Sequence, residues 1–105
     1  MFKITLVEDE ITLAEAILLN LEMEGYETVL ISNGAEAIKK LDLLAASNLV
    51  ILDIMLPEVN GIDICKNLRK KSDVPVLFLS AKGTTADKIE GLKSGGTDYL
   101  SKPFD

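Results

Sequence analysis

Leu49-Val50-Ile51-Leu52-Asp53-Ile54-Met55-Leu56-Pro57, with Asn60-Gly61 close behind, is the stretch on which the fold turns. Four consecutive apolar residues describe a strand buried on both faces, as in a parallel sheet, rather than one alternating between core and water. The proline and the Asn-Gly pair then signal a turn. Asp53 therefore stands where a buried strand leaves the sheet. In parallel α/β folds that edge is where ligands bind.

Working outward, the pattern recurs. Residues 3–7, with Ile4-Thr5-Leu6-Val7, form a short strand that ends in Glu8-Asp9-Glu10. Residues 11–24 read as a helix with Ile11, Ala14, Leu18 and Leu21 on one face, stopped by Gly25. Residues 27–31 are a second strand. Ser32-Asn33-Gly34 is a turn, and residues 35–45 a second helix with Ala35, Ile38, Leu41 and Ala45 inward. After the strand at 49–53 comes a helix over 61–71, a strand from Pro75 to Leu79, a helix over 85–94 and a last short strand over 98–101. In the 85–94 helix Ala86, Ile89 and Leu92 face inward, and Gly95-Gly96 stops it. Five strands and four helices in strict alternation predict an α/β fold: a doubly wound, five-stranded parallel sheet with helices on both faces and right-handed crossovers. A second apolar stripe on the first helix, Ala16, Leu19 and Met23, expects a cover, since a surface helix keeps that side polar.

Composition excludes several functions. The chain has 105 residues, the size of one domain, and a net charge of −6 with no basic run. That argues against nucleic acid or an anionic membrane as a partner of this segment. There is no histidine, which removes Ser-His-Asp and Cys-His chemistry and His-ligated zinc. The single cysteine, Cys65, leaves no internal disulfide, and its neighbours Ile62, Ile64 and Leu68 mark it as a core residue. Met1-Phe2-Lys3 leads straight into a strand with no signal peptide, and no apolar run approaches ~18 residues. A soluble cytoplasmic domain is the simplest reading.

In a parallel sheet all strand ends point one way, so one edge collects Asp9, Asp53, Ser80 and Lys102, with Glu8 close by. A hard cation such as Mg²⁺ takes oxygen ligands, commonly one or two carboxylates completed by water or phosphate oxygens. Crowded carboxylates are unfavourable unless a cation or proton neutralises them. Glu8-Asp9-Glu10 could instead cap the first helix as a favourable acidic turn. The whole set offers a carboxylate nucleophile, metal ligands, a hydroxyl donor and a fixed cation, which is what phosphoryl transfer to a carboxylate needs.

Val7-Glu8-Asp9-Glu10, the run Asp53-Ile54-Met55-Leu56-Pro57 with Asn60-Gly61, Leu79-Ser80-Ala81 and Asp98-Tyr99-Leu100-Ser101-Lys102-Pro103-Phe104 resemble the receiver domain of two-component response regulators, in wording closest to the OmpR-like branch. The resemblance spans essentially the whole chain. It implies the flavodoxin/CheY-like strand order 2-1-3-4-5, with Asp53 as phospho-acceptor. Asp9 and Asp53 would bind Mg²⁺ (or Mn²⁺), with Glu8 contributing and the backbone carbonyl of Met55 completing the protein ligands. Ser80 would hydrogen-bond the phosphoryl group, Lys102 pair with its oxygen and Tyr99 act as the aromatic switch. Met55 and Lys82 would tune dephosphorylation, and Lys102-Pro103 would be cis. A phosphohistidine on a sensor histidine kinase would be the donor, which accounts for a chain without histidine. The output would be control of transcription, with no turnover enzyme activity beyond self-catalysed phosphorylation and autodephosphorylation.

Two departures from the family pattern stand out. Gly95-Gly96-Thr97-Asp98 replaces the usual Gly-Ala-Asp-Asp, and Gly96 adds the entropy cost of a second glycine, ~0.5–1 kcal/mol. The given sequence also stops at Asp105, before the family's fifth helix. On that reading residues 1–105 are a receiver domain lacking its last helix and any effector domain. Burying four or five aliphatic side chains contributes roughly 6–15 kcal/mol gross, so the uncovered face would favour self-association. Other classes fit less well. A phosphohydrolase with an aspartate nucleophile places a second Asp two residues on, where Met55 stands. A degenerate receiver would act only as an interaction or dimerisation module. A nucleotide-binding fold needs a glycine-rich first loop, the electrostatic opposite of Glu8-Asp9-Glu10.

Overall fold

The computed structural model describes residues 2–80 and 98–101, with side chains over residues 2–79. Five parallel strands, β1 (Lys3–Val7), β2 (Glu27–Ile31), β3 (Leu49–Asp53), β4 (Val76–Ser80) and β5 (Asp98–Ser101), form one sheet in the order β2-β1-β3-β4-β5. The doubly wound order expected from the resemblance is the order found. The expected helix over 85–94 and the Lys102-Pro103 bond lie outside the described residues.

Both faces of β1, β3 and β4 are buried over the described side chains, which is why those strands are apolar at nearly every position. Strand alternation sorts them. Val7, Val50, Leu52, Val76 and Phe78 join one core with α2 (Gly34–Lys39), α3 (Leu41–Ala45) and α4 (Gly61–Arg69). Ile4, Leu6, Ile51 and Leu79 join a second core with α1 (Ile11–Met23). Cys65 is fully buried in the first core, as its neighbours implied.

Two helices differ from the sequence expectation. On α1 the inward face is Ala14, Ile17, Leu18 and Leu21, an i, i+3, i+4, i+7 set, whereas Ile11 is 48% exposed. Ile11 opens the helix beside exposed Asp9 and Glu10, past the end of the sheet, so the periodicity alone placed it wrongly. Leu19 and Met23 of the second stripe are exposed, at 60% and 76%. The expected helix over 35–45 is two helices that meet at Lys40, whose φ of −116° and ψ of 32° leave the helical region. Ala37 and Leu44 are its fully buried residues, and Ala35 is only half-buried. No glycine or proline marks the break. Just past α3, Ser47 donates to the Leu43 carbonyl and lies 2.6 Å from the buried Thr5 hydroxyl of β1, which ties the second of the two helices to the sheet.

Helix ends follow local chemistry. Asn33 and Asn60 cap α2 and α4, accepting from Glu36 N and Ile62 N at 2.8 and 2.7 Å. Gly25, at φ +91°, ends α1 in the left-handed region that only glycine enters freely. Among the described residues no helix is long and apolar enough to cross a membrane.

Candidate functional site

β1 and β3 are central, adjacent and in register, with Val7 opposite Leu52. One step further along, Glu8 comes beside Asp53. The chain holds that position past the end of β1, since Glu8 N donates to Ile31 O at 3.1 Å. One carboxylate oxygen from each of Glu8, Asp9 and Asp53 lies within 4.8 Å of the others. Glu8 is fully buried, Asp53 is 2% exposed and Asp9 is exposed. The three carboxylates picked out in the sequence therefore converge, with Asp9 on the side open to solvent.

The capping alternative for this acidic run is not what the structure uses. Glu10 holds the cap position of α1 and makes no side-chain cap bond, and the first turn of α1 contains no acidic residue. Glu8 Oε2 instead accepts from Glu10 N at 3.0 Å, which fixes the turn between β1 and α1.

Asp53 is oriented from its own loop. Its Oδ1 accepts from Met55 N at 3.0 Å, an Asx turn that aims the carboxylate along the loop. Ile54 N donates to Leu79 O, extending the β3–β4 pairing one residue past the strand, and Ile54 O accepts from Gly61 N, each at 3.0 Å. Between these anchors Val59 N donates to Pro57 O at 2.7 Å across Glu58, whose φ is 69°. That is a γ-turn with a strained, left-handed central residue. Met55 is 53% exposed at the rim.

The remaining expected residues divide. Ser80 ends β4 one position beyond Leu79, the register partner of Asp53, and pairs with Ser101 of β5. Tyr99 pairs with Phe78 on the edge strand β5. Both backbones thus lie on the strands expected of them, whereas Lys102 and Lys82 lie outside the described residues. One residue of the site was read only as a turn signal. A Cβ on Gly61 would stand 2.1 Å from the Asp53 carbonyl oxygen and 2.9 Å from its carbonyl carbon. The Asn-Gly pair announced a turn, but nothing in the sequence said that the glycine would rest on the backbone of Asp53.

Chemically, three clustered carboxylate oxygens, two of them out of water, form a hard, oxygen-only donor set of the kind that suits a divalent cation. Comparison with known proteins agrees with the architecture. The chain is 44% identical over 102 residues to a probable transcriptional regulator, ycf27, of Cyanophora paradoxa, covering 97% of this chain and 42% of that protein. It is likewise 44% identical over 102 residues to the DNA-binding response regulator MtrA of Mycobacterium tuberculosis, covering 97% of this chain and 44% of that one. The chain thus spans less than half the length of these curated relatives. Among solved structures, the receiver domain of the Francisella response regulator 1452 matches with a TM-score of 0.90 and 38% identity, over 100% of this chain and 87% of that one. The receiver domain of the Pseudomonas aeruginosa sensor histidine kinase PA1611, with magnesium coordinated in its active-site cleft, matches with a TM-score of 0.87 and 28% identity, over 99% and 87%. The response regulator receiver domain model matches residues 4–105, and on that match the chain belongs to the response regulator receiver family.

Proposed function

We propose that Asp53 accepts a phosphoryl group from a phosphohistidine on a sensor histidine kinase, and that a divalent cation, Mg²⁺ or Mn²⁺, is required. The observation that carries this reading is the cluster of Glu8, Asp9 and Asp53 at the carboxyl edge of the sheet. Those residues fit the cation by donor chemistry, and Asp9 and Asp53, with Glu8 and the Met55 carbonyl, would hold it. Bound there, it would neutralise charge on the transferring phosphoryl oxygens.

The chain's own residues divide the rest of the work. Asp53 is the nucleophile: an oxygen of its carboxylate forms the new P–O bond as the P–N bond to the donor histidine breaks. The bond from Met55 N to Oδ1 orients the carboxylate for that attack. Burial beside Glu8 keeps the Asp53 carboxylate poorly solvated, so little water is shed when the donor arrives. Ser80, at the end of the neighbouring strand, would donate to a phosphoryl oxygen, and Lys102 would pair with another. Tyr99 would change its packing with Ser80, carrying the added ~1.5–2 negative charges into a shift between two conformations. The chain has no histidine, as befits an acceptor rather than a donor.

For the protein as a whole we propose a cytoplasmic transcription regulator, on the strength of the two curated relatives. The output would lie in the switch of the β4–β5 region rather than in turnover of a substrate. The test is incubation with acetyl phosphate and Mg²⁺, read by intact mass. One phosphoryl is gained, and the gain is lost in Asp53→Asn or when Mg²⁺ is chelated. A folded protein that gains nothing sinks the reading.

A further inference from the structure

The loop that carries Asp53 is held from two sides, and both holds depend on an absent side chain. On the inner side Gly61 lies against the Asp53–Ile54 backbone, where a Cβ would come within 2.1 Å of the Asp53 carbonyl oxygen. On the outer side Val59 lies against Gly34, the first residue of α2. A Cβ on Gly34 would stand 2.8 Å from Val59 Cβ and 3.0 Å from Val59 O, with Ile64 Cδ1 of α4 at 3.5 Å. Gly34 has an ordinary backbone, so its conformation does not call for glycine. Space does. Val59 is bonded to Pro57 across the left-handed Glu58, so the loop has little slack to absorb a push.

Resting on the reading of Asp53 as phospho-acceptor, we propose that Gly34 is a positioning residue for Asp53, acting through Val59 as the outer brace of the acceptor loop. Gly34 lies in a different βα unit, 19 positions before Asp53. A Cβ there presses Val59, and the displacement passes along Asn60-Gly61 to the peptide that carries the Asp53 carboxylate and the Met55 carbonyl. A contact of 2.8 Å needs relief of a few tenths of an ångström, and one of 2.1 Å needs about 1 Å. Misplacement by ~1 Å can cost a reaction roughly 100-fold. Gly61→Ala is therefore expected to slow labelling about 100-fold, and Gly34→Ala about three- to tenfold.

The experiment measures the initial rate of labelling by acetyl phosphate at several Mg²⁺ concentrations. It compares wild type, Gly34→Ala, Gly61→Ala and the double variant Gly34→Ala/Val59→Gly. Val74→Ala, which thins the same core just before β4, is the control for stability alone. Amide chemical shifts of Met55 and Gly61 in Mg²⁺ titrations report the loop directly. The brace predicts slower labelling in Gly34→Ala with shifted Met55 and Gly61 amides, part of that rate regained in the double variant, and an unchanged rate in Val74→Ala. Should Gly61→Ala fail to fold, Gly34→Ala and its double variant decide alone. If wild type labels and Gly34→Ala labels at the same rate with the same amide shifts, the brace is wrong and the acceptor reading stands. If wild type itself takes no label, the acceptor reading fails first.

Discussion

Asp53 is 2% exposed and shares its surroundings with a fully buried Glu8 and an exposed Asp9. Two unit charges about 4 Å apart repel by roughly 4 kcal/mol at an effective dielectric of ~20. Removing one of them should relieve the protein when no cation is present. Asp53→Asn is therefore expected to be more stable than wild type in chelator, by on the order of 1 kcal/mol or more, and so to melt at a higher temperature. In Mg²⁺ the order should reverse or close, since a ligand at 100 times its dissociation constant stabilises by about 2.7 kcal/mol and the variant forfeits most of that. Thermal melts with and without Mg²⁺ check both parts. An Asp53→Asn protein that melts below wild type in chelator would show that the charge cluster is not the strained element. Replacing solvent-facing Asp9 by Asn should weaken Mg²⁺ at least tenfold, about 1.4 kcal/mol, in a direct titration.

At the scale of elements, the site is assembled by termini rather than by element interiors. β1 and β3 deliver the carboxylates at their ends, and the capped start of α4 closes the loop onto Asp53. Two asparagine caps of the same chemistry therefore have different importance. Asn33→Ala and Asn60→Ala should each cost about 1 kcal/mol in urea denaturation, the ordinary value of a cap. Asn60→Ala should slow labelling of Asp53 more than Asn33→Ala does, because Asn60 is next to the glycine that rests directly on the Asp53 backbone, whereas Asn33 flanks Gly34, which meets only Val59 and Ile64. Equal labelling rates in the two variants would separate the cap from the site. Away from the site the Thr5–Ser47 pair ties the middle of β1 to the residue just past α3. Ser47→Ala removes the partner of the Thr5 hydroxyl and the donor to Leu43 O, at about 1–3 kcal/mol. Thr5→Val leaves the Ser47–Leu43 bond in place and should cost less.

For the whole molecule, two cores on opposite faces of one sheet divide stability from chemistry. The larger core, around Leu44, Leu68 and Phe78, lies under α2, α3 and α4. Leu44→Ala should lose about 2–5 kcal/mol of unfolding free energy while folded protein labels Asp53 at the wild-type rate, a pair of outcomes that denaturation and mass spectrometry read separately. A slowed rate in the folded fraction would mean that core packing reaches the acceptor.

The alternation of apolar strands with amphipathic helices was enough to predict a parallel α/β sheet, because burial on both faces leaves a continuous apolar run that few other folds require. Acidic residues closing two such runs were enough to predict that carboxylates would cluster, because parallel strands end at one edge. Those properties are local and periodic, so residue order carries them. Tertiary structure decided the rest. The break at Lys40 has no glycine or proline to announce it. Ile11 follows the helical period yet is exposed, because α1 begins beyond the sheet. Gly34 and Gly61 read as turn residues in the chain, and only the packed structure shows that Gly61 leaves room for the Asp53 backbone and Gly34 for Val59, 25 positions further along. Close approach between distant segments is a property of packing, which no window along the chain contains.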